Sequence, residues 1–291
     1  MNVFITGASG FIGSNVCREL QARGHAITGL ARSDKSAAAL EAKGIRPVRG
    51  DIADTDVLQR EARAADGTIH CAFNHDDLTK FLDNAAVEEK ALDALTAALE
   101  GSNKPLVISG GVLGVENERV VQNFQFPRIA AIYRSLDSAK RGVKVSLVRN
   151  APVTHGPGDV HGFIPTLIKT ARMKGIAGYV GAGDNLWPAS DVRDTATLYR
   201  MAFEAAPAGS VLHAVGDEGV STKTIAELIG KKLGVPVQPI ADPEPHFGAF
   251  FARVMQLGAR SSNAITKELL GWQPTHPGLV ADLEAGNYFT M

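Results

Sequence analysis

Residues 6–13 read Thr6-Gly7-Ala8-Ser9-Gly10-Phe11-Ile12-Gly13, directly after the apolar run Val3-Phe4-Ile5. The three glycines are spaced G-x-x-G-x-x-G. A strand that breaks at Gly7 and resumes as a helix near Phe11 leaves backbone N–H groups without intrahelical partners. Those groups, with the positive end of the helix dipole, form a site for a pyrophosphate. Gly7 permits the tight turn, Gly10 lets backbone approach phosphate, and Gly13 lets the helix lie close to the sheet. Ser9, Phe11 and Ile12 complete the cofactor-binding turn. The apolar stripe Ile12, Val16 and Leu20 and a second strand at 26–31 supply the context that the fingerprint requires.

Outward from this turn, strand and helix signals alternate. Strands are expected at 2–6, 26–31, 45–49, 67–72, 105–109 and 143–149, with helices near 11–23, 34–43, 54–65, 76–100 and 126–142. Short apolar strands separated by helices imply an α/β fold: a Rossmann-type, doubly wound parallel sheet. After Arg149 the pattern changes. Gly and Pro are dense at 150–159 and 178–191, and helices are expected near 162–173, 192–205, 222–233, 246–259 and 277–289, with short strands at 211–215 and 236–240. This predicts a dinucleotide-binding domain over 1–150 and a smaller C-terminal substrate-binding portion over 151–291. Residues 192–205 are expected to return to the nucleotide domain.

The chain has 291 residues, 45% hydrophobic and 21% charged, with a net charge of −1. Nothing in that balance favours nucleic acid or an anionic membrane as partner. No apolar run is long enough to span a bilayer, and the start has no basic segment followed by an apolar stretch. Cys17 and Cys71 are the two cysteines, and they read as small core residues of a cytoplasmic protein in a reducing compartment. No His or Cys cluster has ligand spacing, so no metal is expected; His75-Asp76-Asp77 reads better as the first turn of a helix.

Ligands of such sheets sit beyond the carboxyl ends of the strands. The second strand ends Ala31-Arg32-Ser33-Asp34, without the acid that usually binds both ribose hydroxyls. Arg32 is placed to contact a 2′-phosphate and Ser33 to add a hydroxyl, which favours NADP(H) over NAD(H). Asp34 is the counter-indication, since it can turn back to a ribose. Asp51 and Ile52 follow the third strand and suit the adenine, although Asp51 and Asp54 also suit a helix cap. Ala72, small and near the end of the fourth strand, lets the ribose pass.

With TGASGFIG, GDIAD (50–54), VISGGVLG (107–114), VRNAPVTHGPGD (148–159) and WPASDVRD (187–194) in this order, the chain resembles the extended, epimerase/dehydratase-like branch of the short-chain dehydrogenase/reductase family. The resemblance covers nearly the whole chain. It implies a nicotinamide cofactor, redox chemistry on a small-molecule carbonyl, alcohol or sugar, and a homodimer built on the helices near 76–100 and 126–142. It also implies a Ser or Thr after the fifth strand and a Tyr-x-x-x-Lys pair on the next helix, in which Tyr is the acid/base and Lys holds the ribose.

Ser109 matches the first position. The pair is absent: no Tyr in the chain has Lys four residues later. Counting back from Arg149 puts Phe124 at the Tyr position and Arg128 at the Lys position. Phe transfers no proton, and Arg binds hydroxyls but is never a base. Tyr133, His75 and His155 are the candidates for a substitute acid, with water and Ser109 as the other proton sources. Tyr133 lies five residues past Arg128, about 140° around a helix. Asn150, Pro152 and Val153 are expected at the nicotinamide end, and Phe73, Val112, Phe124, His155, Phe163 and Trp187 as pocket walls. The reading is an NADP(H)-dependent carbonyl or imine reductase. The alternative is a cofactor-bound non-redox lyase or cyclase, or an NADP(H)-sensing regulator. A serine hydrolase is set aside because Ser109 lies in I-S-G-G-V rather than G-x-S-x-G.

Overall fold

The computed structural model describes residues 1–74, 80–122 and 126–290. Six strands alternate with helices in the first half: β1 (Asn2–Thr6), β2 (Ala26–Ala31), β3 (Arg46–Arg49), β4 (Gly67–His70), β5 (Pro105–Gly111) and β6 (Lys144–Asn150). A later strand, β10 (Ser210–Ala214), joins them in a seven-stranded sheet of order β10-β6-β5-β4-β1-β2-β3. Every pairing in it is parallel. This is the doubly wound α/β architecture expected from the alternating pattern, and the strand order reverses at β1.

Side-chain alternation explains the continuous apolar strands. Val3 and Ile5 of β1 and Val107 of β5 enter one core, while Phe4, Leu106 and Ile108 enter the other. The first core is closed by α1 (Phe11–Ala22), α2 (Asp34–Glu41) and α7 (Val192–Ala205), through Val16, Leu20, Leu40, Leu198 and Phe203. The second is closed by α3 (Thr55–Ala64), α4 (Phe81–Leu99) and α5 (Pro127–Leu136), through Leu58, Leu92, Leu95 and Ile132. The helix α7 packs on α1 and on β4, β5 and β6.

The rest of the chain builds a second cluster. A three-stranded sheet holds β7 (Val153–His155), β9 (Leu186–Asp191) and β11 (Asp217–Ser221), and β8 (Ala177–Tyr179) pairs with β12 (Val237–Pro239). Around them lie α6 (Phe163–Lys174), α8 (Thr222–Leu233), α9 (Pro243–Phe247), α10 (Ala249–Val254) and α12 (Leu279–Ala285), whereas α11 (Ala264–Leu270) packs on α7 and β10 and brings Trp272 into the first core. Trp187, Ile164, Ile225 and Leu279 form the core of the second cluster. Two expected helices are broken. The one near 246–259 divides at Gly248, whose φ is +79°, and the one near 277–289 ends at Gly286, with φ +86°. The strands β7, β8 and β9 lie in or at the edge of the stretches where dense Gly and Pro had suggested loops, and β11 falls between an expected strand and an expected helix. No helix among the described residues is long and apolar enough to cross a membrane.

Candidate active site

The first βα turn has the shape that its glycines demand. Gly7 has φ +72°, and a Cβ there would stand 2.8 Å from the backbone N of Ala72. The backbone N–H of Gly10 donates to the Gly7 carbonyl at 2.9 Å. At Gly13 a Cβ would collide with that same carbonyl oxygen, so α1 can lie this close to β1 only with glycine there. Gly10 is the N-cap of α1, without any side-chain cap, and the first turn holds no acid. Ser9 and Gly10 are exposed, and Phe11 and Ile12 half-buried. An uncapped helix start facing out, free of carboxylates, suits an anionic diphosphate group.

At the end of β2, Arg32 and Ser33 are exposed. Ser33 is otherwise employed than expected. It is the N-cap of α2 in a capping box: its Oγ accepts from the Ser36 N–H at 3.1 Å and donates to Ser36 Oγ at 3.1 Å. Its hydroxyl is therefore already satisfied, which argues against a free donor for a 2′-phosphate. Asp34 turns toward Arg49, at 3.4 Å. After β3, Asp51 Oδ1 accepts from the Ala53 N–H at 3.0 Å, and Asp54 Oδ2 from the Asp51 N–H at 2.7 Å. The Asp51 carboxylate thus serves a turn, with Ile52 packed against the second core beside it.

Across the carboxyl ends of β4, β5 and β6 runs a hydrogen-bonded chain. Ser109 Oγ donates to the His70 carbonyl at 2.8 Å. Tyr199, on α7, donates from its Oη to Ser109 Oγ at 2.7 Å. Asn150 Nδ2 donates to Tyr199 Oη at 2.9 Å. Ser109 and Asn150 are half-buried, and Tyr199 is fully buried. Burial pushes the Tyr199 phenol well above its usual range. It also pushes the neighbouring Cys71 thiol up to about 12, against the pull of hydrogen bonds to Ser109 and Tyr199. Sequence reading passed over Tyr199. Its signal is a single hydroxyl in the apolar stripe Val192, Ala196, Tyr199, Phe203 of a returning helix.

Arg128 lies at the same edge but is held by a carboxylate. Its Nε donates to Glu88 Oε2 at 2.6 Å and its Nη2 to Glu88 Oε1 at 3.0 Å, and its guanidinium lies 4.0 Å from the Phe73 ring centre. Glu88 is 1% exposed, and burial raises its pKa while Arg128 opposes the rise. His70 Nδ1 pairs with Thr6 Oγ1 at 2.9 Å, and its Nε2 stands 3.9 Å from Glu88. Burial, helped by the Arg128 charge, lowers the His70 pKa to about 3, so the ring is neutral.

Several expected site residues lie elsewhere. Tyr133 binds Arg149, a fully buried guanidinium that also donates to the Val120 carbonyl at 2.8 Å. The Gln122 N–H donates to Tyr133 Oη at 3.2 Å. That phenol anchors a buried cation and a loop, which corrects its reading as a free acid. His155 is fully buried in β7, with Nδ1 2.8 Å from Asp282, and so braces α12 rather than walling a pocket. Val112 and Trp187 are fully buried core residues, and Trp187 Nε1 donates to the Leu257 carbonyl. Val153 is 1% exposed in the same core as Trp187, which removes it from a cofactor-contacting position, whereas Pro152 is half-buried. Phe163 is half-buried between Trp187 and Phe251, with ring centres at 5.3 and 4.9 Å. Ala72 and Phe73 are half-buried beyond β4. His75 and Phe124 lie outside the described residues. Among the described residues no cluster of three His, Cys, Asp or Glu could hold a metal.

Comparison with known proteins agrees with this geometry. Residues 3–109 match the model of the NAD dependent epimerase/dehydratase family. An uncharacterized protein of Schizosaccharomyces pombe is 39% identical, over 99% of this chain and 100% of its own length. A 2-alkyl-3-oxoalkanoate reductase of Stenotrophomonas maltophilia is 26% identical, over 72% of this chain and 67% of its own. Among solved structures, DesIV, a dTDP-glucose 4,6-dehydratase from Streptomyces venezuelae with NAD bound, superposes with a TM-score of 0.77 at 19% identity, covering 100% of this chain and 97% of that one. The glycine turn at a parallel-sheet switch point and these matches together make the chain a member of the NAD-dependent epimerase/dehydratase family, the extended branch of the short-chain dehydrogenases/reductases.

Proposed function

We propose that this protein is a nicotinamide-dependent reductase acting on a carbonyl or imine, with NADP(H) preferred to NAD(H). The observation that carries the reading is the uncapped, acid-free start of α1 behind Gly7, Gly10 and Gly13, at the same sheet edge as the Ser109 hydroxyl. A bound nicotinamide supplies hydride. The backbone N–H groups of Phe11, Ile12 and Gly13 would hold its diphosphate, and Arg32 its 2′-phosphate. Ser109 would donate a hydrogen bond to the substrate's oxygen or nitrogen. The reductase relative supports ketone chemistry, and the dehydratase structure with NAD supports the cofactor class.

One observation favours a second reading. Arg128, at the position aligned with the ribose-binding lysine, has two guanidinium nitrogens on Glu88. A pocket without the Tyr-Lys pair suits a non-redox lyase or cyclase, or an NADP(H) sensor. Following nicotinamide absorbance against a panel of aldehydes, ketones and imines separates the two. Oxidation of NADPH with any of them supports the reductase; tight NADPH binding without oxidation supports the second reading.

A further inference from the structure

The hydroxyl of Tyr199 sits where core packing gives it no use. Its ring fills the apolar face of α7 against the sheet, a task that phenylalanine would do as well. The oxygen is carried past that core to the ends of β5 and β6. There it meets Ser109 Oγ at 2.7 Å and the Asn150 amide, with Nδ2 at 2.9 Å and Oδ1 at 3.2 Å.

A hydroxyl has one proton and two lone pairs. Asn150 Nδ2 fills a lone pair on Tyr199, which sends the tyrosine proton outward, with Ser109 Oγ as the nearer acceptor. That donation fills a lone pair on Ser109. What Ser109 then has to offer is its own proton, which lies on the His70 carbonyl at 2.8 Å. The array is polarised in one direction: Asn150 to Tyr199 to Ser109.

We propose that Tyr199 is a positioning residue that holds Ser109 as a hydrogen-bond donor toward an acceptor atom on the reacting carbon of the substrate. This rests on the reductase reading and deepens it, because a fixed donor favours a reacting atom that gains negative charge as hydride adds, a carbonyl oxygen or an imine nitrogen. On binding, the Ser109 proton swings from the His70 carbonyl to the substrate oxygen. Tyr199 keeps its donation to Oγ and so strengthens the Ser109 hydrogen bond to the atom that gains negative charge as hydride adds to the carbon, while water supplies the proton that completes the product. No proton leaves Tyr199, since its burial opposes a tyrosinate. The role differs from that of the family's tyrosine, which comes from the helix after the fifth strand and transfers the proton itself.

The test is a double-mutant cycle. Tyr199→Phe should lower kcat at least tenfold with KM and NADPH affinity within about threefold, and Ser109→Ala should lower it by a similar factor. The double variant should be no worse than Ser109→Ala alone, because Tyr199 acts through that hydroxyl. Independent, multiplying losses would overturn the proposal, as would a Tyr199→Phe enzyme at wild-type kcat. A second arm needs no turnover and so stands apart from the reductase reading. In a Cys17→Ala/Cys71→Ala background, Ser109→Cys places a thiol at the end of the array. The pH midpoint of its alkylation by iodoacetamide should rise by roughly one unit when Tyr199→Phe is added, since a donor to the thiolate is lost. An unchanged midpoint would show that Tyr199 does not address position 109.

Discussion

Arg128 and Glu88 form a two-pronged ion pair, Nε to Oε2 at 2.6 Å and Nη2 to Oε1 at 3.0 Å, that joins α5 to α4 beside the open edge of the sheet. A carboxylate this deeply buried is tolerable only with its charge answered. The pair therefore fixes the direction of the arginine before any ligand arrives.

Removing one partner should expose that dependence. Arg128→Ala leaves Glu88 buried and unpaired, and should cost on the order of 3 kcal/mol at neutral pH. The folded pKa of Glu88 is already raised by burial, with Arg128 holding it down. Without Arg128 it rises further, so the penalty is present where Glu88 is ionised and shrinks as acid neutralises it. Thermal melts of the variant and wild type should converge as pH falls and Glu88 is neutralised in both. A constant gap would mean that the cost lies in packing over Phe73.

His70 should make the protein acid-sensitive. Its folded pKa, near 3, lies below its ordinary value of 6.5. Between those values the unfolded chain binds the proton and the folded one does not, so stability rises with pH and is lost as pH falls below about 6.5. His213, lowered to about 4 chiefly by burial, acts in the same direction. His70→Gln should flatten the acid limb of a Tm-versus-pH curve; an unaltered limb would assign it to other groups.

The glycine turn separates binding from folding. Gly10→Glu places a carboxylate at the exposed start of α1, and calorimetry should find NADPH binding abolished in a folded protein. Gly13→Ala should instead damage the fold, because its Cβ meets the Gly7 carbonyl. Unchanged nucleotide affinity in folded Gly10→Glu would remove the cofactor from this turn.

Cofactor choice should divide between neighbouring residues. Arg32→Ala should cost NADPH about 1.5–3 kcal/mol of binding and leave NADH nearly unaffected. Ser33→Ala should cost about 1 kcal/mol of stability through loss of the α2 cap, without altering the preference. Equal titrations of both cofactors against wild type would refute the NADP(H) assignment.

Tyr133→Phe tests the reassigned phenol. Its loss deprives buried Arg149 of a partner, so Tm should fall. Turnover per folded molecule should stay within a few fold. A large fall in kcat at constant cofactor affinity would restore Tyr133 as the acid.

The sheet was legible because its strands are buried on both faces and its turns carry glycine where φ is positive. The observed bounds of β1, β2, α7 and α8 coincide with those read from periodicity. The C-terminal strands were harder to see: β8 has three residues and β11 pairs with β9 through an irregular register, so neither shows a clear period. The glycine turn after β1 is local and could be read directly. The Ser109–Tyr199 contact spans 90 positions, and a tyrosine in an apolar stripe looks like core until α7 is seen to lie across β5 and β6. Arg128 was placed by counting, but its partner Glu88 lies 40 residues earlier on a face that looks merely polar. Val112 and Trp187 failed as pocket walls because an apolar residue near a strand end reads the same whether it faces a ligand or a neighbour.

The return of α7 and β10 to the sheet has a consequence for how this protein can be divided. A fragment ending after Asn150 would lack the helix that covers Val107 and Val148 and the strand that pairs with β6. It would have a bare apolar face and an unpaired edge, both of which invite aggregation. The chain leaves the seven-stranded sheet, begins the second cluster, and comes back to finish the sheet. Grafting a new specificity onto this scaffold therefore means keeping 192–214 together with α11 and Trp272, which pack on it, and replacing only the segments between, and a single crossover at the apparent boundary would break both halves at once.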